Sequence, residues 1–298
     1  MTSQLTVALL VQAIGSAFAV GALLLLTLTL LPASRSVARQ LWPVLASEAA
    51  ILAVGALPWL LPPHAVLALL LVAAARIGYE SGSVHGLTVE KNFRVTYGLL
   101  LVAVTGVSWF ATTIPFLWAA ALVTAAALAV AWLSLDKSIA GSWARFTVFP
   151  VLPLAAFSHA ASDPRLWALL VLAFFLVEMF DSFSLLGGKL YGRTPLVPRL
   201  SPRKTWEGLA TGVCATLIAL LSLVAWLGML LLPMLIAGVV VVISAIGGDL
   251  LGSLAKRQAG VKDYPAVMTV QGGLLDIADA WLVAGPCLAG LAVLQGWI

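Results

Sequence analysis

Long apolar runs separated by short basic loops dominate this sequence of 298 residues. The first run, residues 5–32, contains no charged side chain and exceeds the roughly 20 residues that a helix needs to cross a bilayer. Charged residues make up only 9% of the chain, against about 25% in soluble domains. Because lipid cannot satisfy open backbone N–H and C=O groups, we predict an all-α, polytopic integral membrane protein.

Ten apolar segments are candidate spans, of which we expect eight to ten to be transmembrane helices. They are residues 5–32, 41–61, 63–76, 97–115, 116–135, 146–160, 166–181, 208–228, 231–252 and 271–296. The third, sixth and seventh segments are short for a straight span and are candidates for half-helices or re-entrant pieces.

The basic residues give these segments an orientation. If the N-terminus is outside, loops on the cytoplasmic side hold 15 of the 16 Lys and Arg residues, and only Arg165 lies outside. This bias follows the positive-inside rule. The basic residues sit in short loops without interleaved aromatics, which gives no indication of nucleic-acid binding. The last two basic loops are therefore predicted to lie on the same, cytoplasmic side.

Polar residues concentrate between Asp181 and Asp279, a third of the chain that holds six of the twelve acids and eight of the sixteen bases. An ionised group at membrane depth costs roughly 2.5–3.5 kcal/mol, so such groups tend to be paired and functional. We therefore divide one continuous membrane domain into N-terminal membrane helices, residues 1–165, and a C-terminal catalytic region, residues 166–298. A polar cavity facing the cytoplasm is expected in the second part.

The first polar cluster is a glycine-rich basic segment, residues 187–208, interpreted as a loop that follows Asp181 at a helix end. Glycines let backbone N–H groups approach an anion, and basic side chains neutralise it. Ser201 is predicted to cap the next helix, with Pro202 at its first position, so that the helix N-terminus would bind phosphate. The alternative is a plain cytoplasmic loop.

The second cluster lies on the helix predicted to end near Arg257. Asp249, Ser253 and Lys256 are spaced i, i+4 and i+7 and therefore share one helix face. A carboxylate, a hydroxyl and an ammonium would then run from membrane depth to the surface, an arrangement suited to a metal-bound phosphate. The alternative is a charge pair with basic side chains that reach toward water at a helix end.

The third cluster is the segment that contains Asp276 and Asp279, which are spaced i, i+3 and are predicted to face the same way. Two like charges this close repel unless a cation lies between them, and Mg²⁺ prefers oxygen ligands. Two acids at a solvated helix start, with Gly272 and Gly273 in helix packing, are the alternative. Glu178, one turn before Asp181, is a further candidate for the polar cavity.

In chain order, these motifs resemble the signature of the phosphatidate cytidylyltransferases (CDP-diacylglycerol synthases). The resemblance covers about 100 residues: Asp181-Ser182 with the glycines that follow; Ser201-Pro202-x-Lys204-Thr205-Trp206-Glu207-Gly208; Ser253-x-x-Lys256-Arg257-x4-Lys262-Asp263; and Gly272-Gly273-x-x-Asp276-x-x-Asp279. Residues 1–165 match only as unspecific membrane helices.

The resemblance implies that CTP and phosphatidate, or a related phospholipid, react with Mg²⁺ to give CDP-diacylglycerol and pyrophosphate. It implies metal binding by Asp249, Asp276 and Asp279, with Asp181 as a further candidate. Lys256, with Ser253 beside it, would meet phosphate as part of a catalytic group with Asp249. Substrate binding would fall to the remaining motif residues: Lys189, Ser201, Arg203, Lys204, Arg257, Lys262, Gly272 and Gly273. We expect a bacterial inner-membrane location with the site facing the cytoplasm, and by family analogy a homodimer.

Two positions depart from the family pattern, since Gln271 and Ile277 stand where His and Arg are usual. A divergent paralogue with altered lipid preference or lower rate is therefore left open. A CTP-dependent lipid kinase of the polyprenol type is one alternative. A transporter or a catalytically silent membrane partner is another, because transporters also hold intramembrane acids.

Overall fold

The computed structural model describes residues 5–32, 34–85, 92–111, 146–198 and 200–298. In these residues the chain forms nine α-helices and one β-hairpin, which confirms the all-α prediction. The elements are α1 (Val7–Leu30), α2 (Arg35–Ala56), α3 (Pro63–His85), α4 (Asn92–Phe110), α5 (Leu152–Ala161), α6 (Trp167–Tyr191), β1 (Pro195–Val197), β2 (Ser201–Thr205), α7 (Trp206–Leu227), α8 (Leu231–Gln258) and α9 (Leu274–Leu294). The predicted span 116–135 lies outside the described residues.

Seven helices in this part of the chain are long and apolar enough to cross a membrane. Two shorter apolar helical stretches accompany them: Arg94–Phe110 within α4, and Thr147–Ala161, which ends with α5. The half-helix prediction is wrong for α3 and α6, which run for 23 and 25 residues. Helix α3 continues past its predicted end because Arg76 is paired with Glu80 one turn later, so both charges are accommodated within the helix.

The surface of the helices also indicates a lipid environment. Large apolar side chains point outward on most of these helices. Examples are Val20, Val107, Ile218 and Leu232, which are 63–72% exposed. Water would make such surfaces costly, whereas acyl chains solvate them. The chain is therefore an integral membrane protein.

The core lies where α6 and α9 cross. Residues 166–177 of α6 and its preceding turn are all buried, as are most positions of α9. Trp281 of α9 joins them: its indole N–H donates to Leu170 O at 3.1 Å and its ring centroid lies 4.6 Å from that of Phe157. This packing fixes α9, the helix that carries Asp276 and Asp279.

The glycine-rich segment is not a loop. Residues 187–189 belong to α6, and Asp181 lies ten residues before the end of that helix. A Cβ at Gly187 would lie 2.2 Å from Thr211 Oγ1, and one at Gly212 would lie 2.0 Å from Ser184 Oγ. These glycines therefore serve close packing of α6 against α7, as small residues do between membrane helices.

The predicted cap at Ser201 is also wrong. Ser201 begins strand β2, which pairs antiparallel with β1 in the register Val197 with Ser201. Helix α7 begins five residues later, where Thr205 Oγ1 accepts from Gly208 N at 3.1 Å. Since α6 and α7 are joined by this hairpin, Arg203 and Lys204 are presented on a strand rather than at a helix N-terminus.

Candidate active site

A cavity of about 250 Å³ opens between the hairpin and helices α6, α7 and α8, with polar groups set in an otherwise apolar wall. Its polar lining comes from Asp181 and Ser184 of α6 and from four hairpin residues: Ser201, Arg203, Lys204 and Thr205. Leu196, Leu209, Ile246 and Leu250 form part of its apolar wall. The cavity thus lies between residues of the first polar cluster and α8, the helix that carries the second.

Lys204 extends from β2 across this cavity to α8, where its ammonium pairs with Asp249 Oδ2. Asp181 and Asp279 are close enough to act on it electrostatically, as is Lys256. Burial lowers the pKa of the Lys204 ammonium below the ordinary lysine value, and the two aspartates partly offset this effect. The hairpin and α8 therefore supply opposite charges to one site. This agrees with the prediction that the basic segments before α7 and after α8 lie on the same side of the membrane.

Asp279 is buried, with 4% of its surface exposed, at the crossing of α9 and α8. Its Oδ1 accepts from Ala280 N at 2.7 Å. Its Oδ2 faces α8 so closely that a Cβ at Gly252 would lie 2.7 Å away. Gly252 lies one turn after Asp249, the α8 residue that pairs with Lys204.

Asp276 faces the segment before α9 rather than open cavity. It pairs with Lys256, and its Oδ2 accepts from Tyr264 N at 3.0 Å and from Gly273 N at 2.9 Å. Lys256 in turn lies 5.3 Å from the centroid of the Tyr264 ring. Burial, then the negative charges of Asp279 and Asp276, raise the pKa of the Tyr264 phenol. Lys256 is thus held in place by a carboxylate and the face of a neutral aromatic ring.

Five predicted residues lie at the edge of this arrangement or beyond it. Ser253 is half-buried on α8, and Lys189 is exposed in the last turn of α6. Arg257 is exposed and donates to Val261 O at 3.0 Å. Lys262 is 60% exposed and lies 4.0 Å from Asp263. Ser201 lines the cavity but caps no helix.

The paired glycines shape the backbone before α9. Gly272 has φ +92°, a conformation that favours glycine, and a Cβ there would lie 2.7 Å from Asp276 Oδ2. The amide of Gly272 donates to Met268 O at 2.9 Å, and that of Gly273 donates to Asp276. Both amides are engaged within the protein, and their part in substrate binding stays a prediction.

The acids of the site offer carboxylate oxygens, which are the kind of ligand that a magnesium ion binds. Among the described residues no three His, Cys, Asp or Glu side chains are close enough to hold one ion together. Mg²⁺, however, is usually held by one or two carboxylates plus substrate phosphates. Asp249 and Asp279, with Asp181 as a further candidate, are the carboxylates that would hold such an ion, whereas both oxygens of Asp276 are taken by other partners.

Sequence reasoning missed the polar contacts that the N-terminal helices make with the third cluster. Gln271 donates to Ser47 Oγ and to Glu48 Oε2, each at 3.1 Å, and Glu48 lies beside Glu178 of α6. Glu80 of α3 accepts from the first amides of α9. Glu80 lies four residues after Arg76 in an otherwise apolar helix, a pattern that could have indicated a buried polar contact. The predicted third span, residues 63–76, ended before Glu80.

Comparison with known proteins assigns this arrangement to a family. Residues 41–294 match the model of the cytidylyltransferase family. The chain is 38% identical over 118 residues to phosphatidate cytidylyltransferase 5, chloroplastic, of Arabidopsis thaliana, which covers 39% of this chain and 29% of that protein. It is 39% identical over 111 residues to the phosphatidate cytidylyltransferase of Mycobacterium bovis, covering 32% and 34% of the two chains.

A third relative is matched almost from end to end. The phosphatidate cytidylyltransferase of Rickettsia felis is 27% identical over 229 residues, which is 72% of this chain and 99% of that protein. The match therefore spans about a third of the plant and mycobacterial relatives but nearly all of the rickettsial one.

Proposed function

The chain belongs to the cytidylyltransferase family, and from this premise we propose that it transfers CMP from CTP to phosphatidate, or to a similar phospholipid. The products would be CDP-diacylglycerol and pyrophosphate. The observation that supports the proposal is the grouping of Lys204, Lys256, Asp249 and Asp279 in a membrane protein: Lys204 pairs with Asp249, and Lys204 and Lys256 both lie close enough to Asp279 to interact with it electrostatically. Three relatives whose names include phosphatidate cytidylyltransferase support the same reaction.

The chemistry requires no nucleophile from the protein. A phosphate oxygen of phosphatidate attacks the α-phosphorus of CTP, a new P–O–P bond forms, and the bond to pyrophosphate breaks with its electron pair leaving on pyrophosphate. Such a transfer depends on positioning and on neutralising charge. Lys204 and Arg203 would hold the triphosphate from the hairpin, and Lys256 would meet a phosphate from α8.

A magnesium ion fits this proposal, with Asp249 and Asp279 as its carboxylate ligands and Asp181 beside them. When bound, Mg²⁺ would neutralise phosphate charge and favour departure of pyrophosphate. The side chains of the protein then fix the phosphates relative to each other. The role of Asp276 in this proposal is to hold Lys256 in place, because both of its oxygens already have partners.

A water-soluble nucleotide and a membrane lipid must both reach this site. We propose that the cavity faces the cytoplasm of a bacterial inner membrane, since the basic residues follow the positive-inside rule and two of the relatives are bacterial. Assembly as a homodimer stays a prediction.

The test is a CTP-dependent assay on the purified full chain in detergent with phosphatidate and Mg²⁺, following CDP-diacylglycerol and pyrophosphate. Asp279→Asn should lower the rate roughly a hundredfold, because loss of one preorganised charge at a phosphoryl site has that order of effect. Asp163→Asn is the matched control, since Asp163 pairs with Arg165 before α6, away from the cavity. It should retain the wild-type rate.

Two results would contradict the proposal. Release of CDP instead of pyrophosphate would identify a lipid kinase. No product from folded wild-type protein with several phospholipid acceptors would indicate a silent or substrate-divergent paralogue, with Gln271 and Ile277 as the first positions to revert.

A further inference from the structure

Helix α9 receives its N-terminal cap from a different helix. Its own N-cap residue is Gly273, which has no side chain to accept from the first free amides of the helix. Glu80 of α3 fills this role: Leu274 N donates to Glu80 Oε1 and Leu275 N donates to Glu80 Oε2, each at 2.8 Å. The capping residue lies 194 positions earlier in the chain than the first amide it binds.

Glu80 is held rigidly for this task. Its side chain is fully buried, and its Oε1 also accepts from Arg76 Nε at 2.7 Å. Arg76 donates from its Nη2 to Pro265 O at 2.6 Å. Gly273 makes the approach sterically feasible, because a Cβ there would lie 2.8 Å from Glu80 Oε2. One ion pair of α3 therefore fixes both the start of α9 and the segment that leads to it.

The first turn of α9 is also the turn that carries Asp276, which holds Lys256 and the amides of Tyr264 and Gly273. A shift of this turn would move Asp276 and with it the Lys256 ammonium. We propose that Glu80, supported by Arg76, is a positioning residue that sets Lys256 and the start of α9 for the transfer reaction. The inference rests on the proposed function for its catalytic consequence.

The test compares Glu80→Gln with Ser158→Ala in the full-length protein. Ser158 is fully buried and donates to Thr105 O at 2.8 Å, so its removal loosens another interhelical contact at a distance from the cavity. Glutamine keeps the shape of Glu80 but turns an NH₂ group toward one of the two amides that it must accept from. For each variant we would measure kcat well below the thermal midpoint, and amide hydrogen exchange in peptides covering residues 264–282.

Glu80→Gln should raise exchange at the start of α9 by about tenfold or more, since hydrogen bonds to a charged acceptor are lost there. It should lower kcat by about tenfold or more, because small displacements of catalytic groups have such effects. Ser158→Ala should leave both quantities within about twofold of wild type at a comparable loss in thermal midpoint. Arg76→Lys keeps the charge beside Glu80 but loses the carbonyl contacts, and should show the same two effects more weakly.

Unchanged exchange at α9 in Glu80→Gln would overturn the inference, as would a kcat equal to that of Ser158→Ala. If Glu80→Gln does not fold, the same two readouts in Arg76→Lys decide. If the wild type proves inactive, the proposed function fails, while the exchange measurement still decides whether Glu80 holds the helix.

Discussion

Alanine substitutions at three glycines of α8 should distinguish effects on stability from effects on activity at the crossing of α8 with α9. They lie on one helix but meet different surroundings: a Cβ at Gly247 has nothing within 4 Å, one at Gly248 would lie 2.4 Å from the Asp279 carbonyl oxygen, and one at Gly252 would lie 2.7 Å from Asp279 Oδ2. Ordinary contact begins at 3.4 Å. Alanine at each position therefore tests a different consequence of the same crossing.

The magnitudes follow from what must move. Gly247→Ala should stabilise the protein by about 0.5–1 kcal/mol, the helix preference of alanine over glycine. Gly248→Ala meets backbone of α9, which cannot rotate away. Overpacking costs about 1–3 kcal/mol, so the net effect should be a loss of about 1–2 kcal/mol. Gly252→Ala meets a side-chain carboxylate, and turning it from its rotamer costs about 0.5–1.5 kcal/mol, which the helix preference nearly offsets.

Gly252→Ala should therefore keep a thermal midpoint close to wild type and yet lose activity by about tenfold or more, because Asp279 is displaced. Thermal midpoints of the purified variants and kcat at saturating CTP and phosphatidate are the two measurements, with Gly247→Ala as the matched control. Full activity in Gly252→Ala would refute the placement of Asp279 against α8. A normal midpoint in Gly248→Ala would refute the close crossing itself.

Two further predictions concern the hairpin. Burial lowers the pKa of Lys204, so the rate should begin to fall on the alkaline side at a lower pH than it would for an exposed lysine. In a pH–rate profile, Lys204→Arg, which stays charged, should move this alkaline limb to higher pH. An unmoved limb would show that Lys204 is not the titrating group. Glu207 accepts from Arg193 N at 3.1 Å and from Thr194 N at 3.2 Å and so anchors the start of the hairpin. Glu207→Gln should therefore raise the KM for CTP several-fold with little change in thermal midpoint. An unchanged KM would show that the hairpin needs no such anchor.

The spans were predictable because hydropathy is a property of consecutive residues. The shared helix face of Asp249 and Lys256 was predictable for the same reason, since spacing alone places side chains around a helix. Gly187 and Gly188 were misread because glycine has two uses that look alike in sequence, the open turn and the close helix contact. Only the position of Thr211 on the neighbouring helix shows that the second use applies to Gly187.

The contacts of the N-terminal helices were beyond prediction from a single sequence. Glu80 caps α9 and Glu48 binds Gln271, and both are charges in apolar spans whose partners lie about 190 residues or more away. Local pattern could indicate only that such charges need a partner. Residues 1–165, which carry no motif, thus help to hold the segment that carries the most specific one.

Charge balance in the site explains why a divalent cation is expected with the nucleotide. Asp249 and Asp276 are each neutralised by a lysine, and Arg203 adds a positive charge at the exposed side of the cavity. Among the described residues Asp181 and Asp279 form no ion pair within 4.0 Å, so the acids outnumber the bases. A triphosphate entering alone would meet a site that is slightly negative and whose lysines are already occupied. With Mg²⁺ present, a phosphate would compete more favourably for Lys204, and Asp249, once released by that lysine, would have a cation as its new partner.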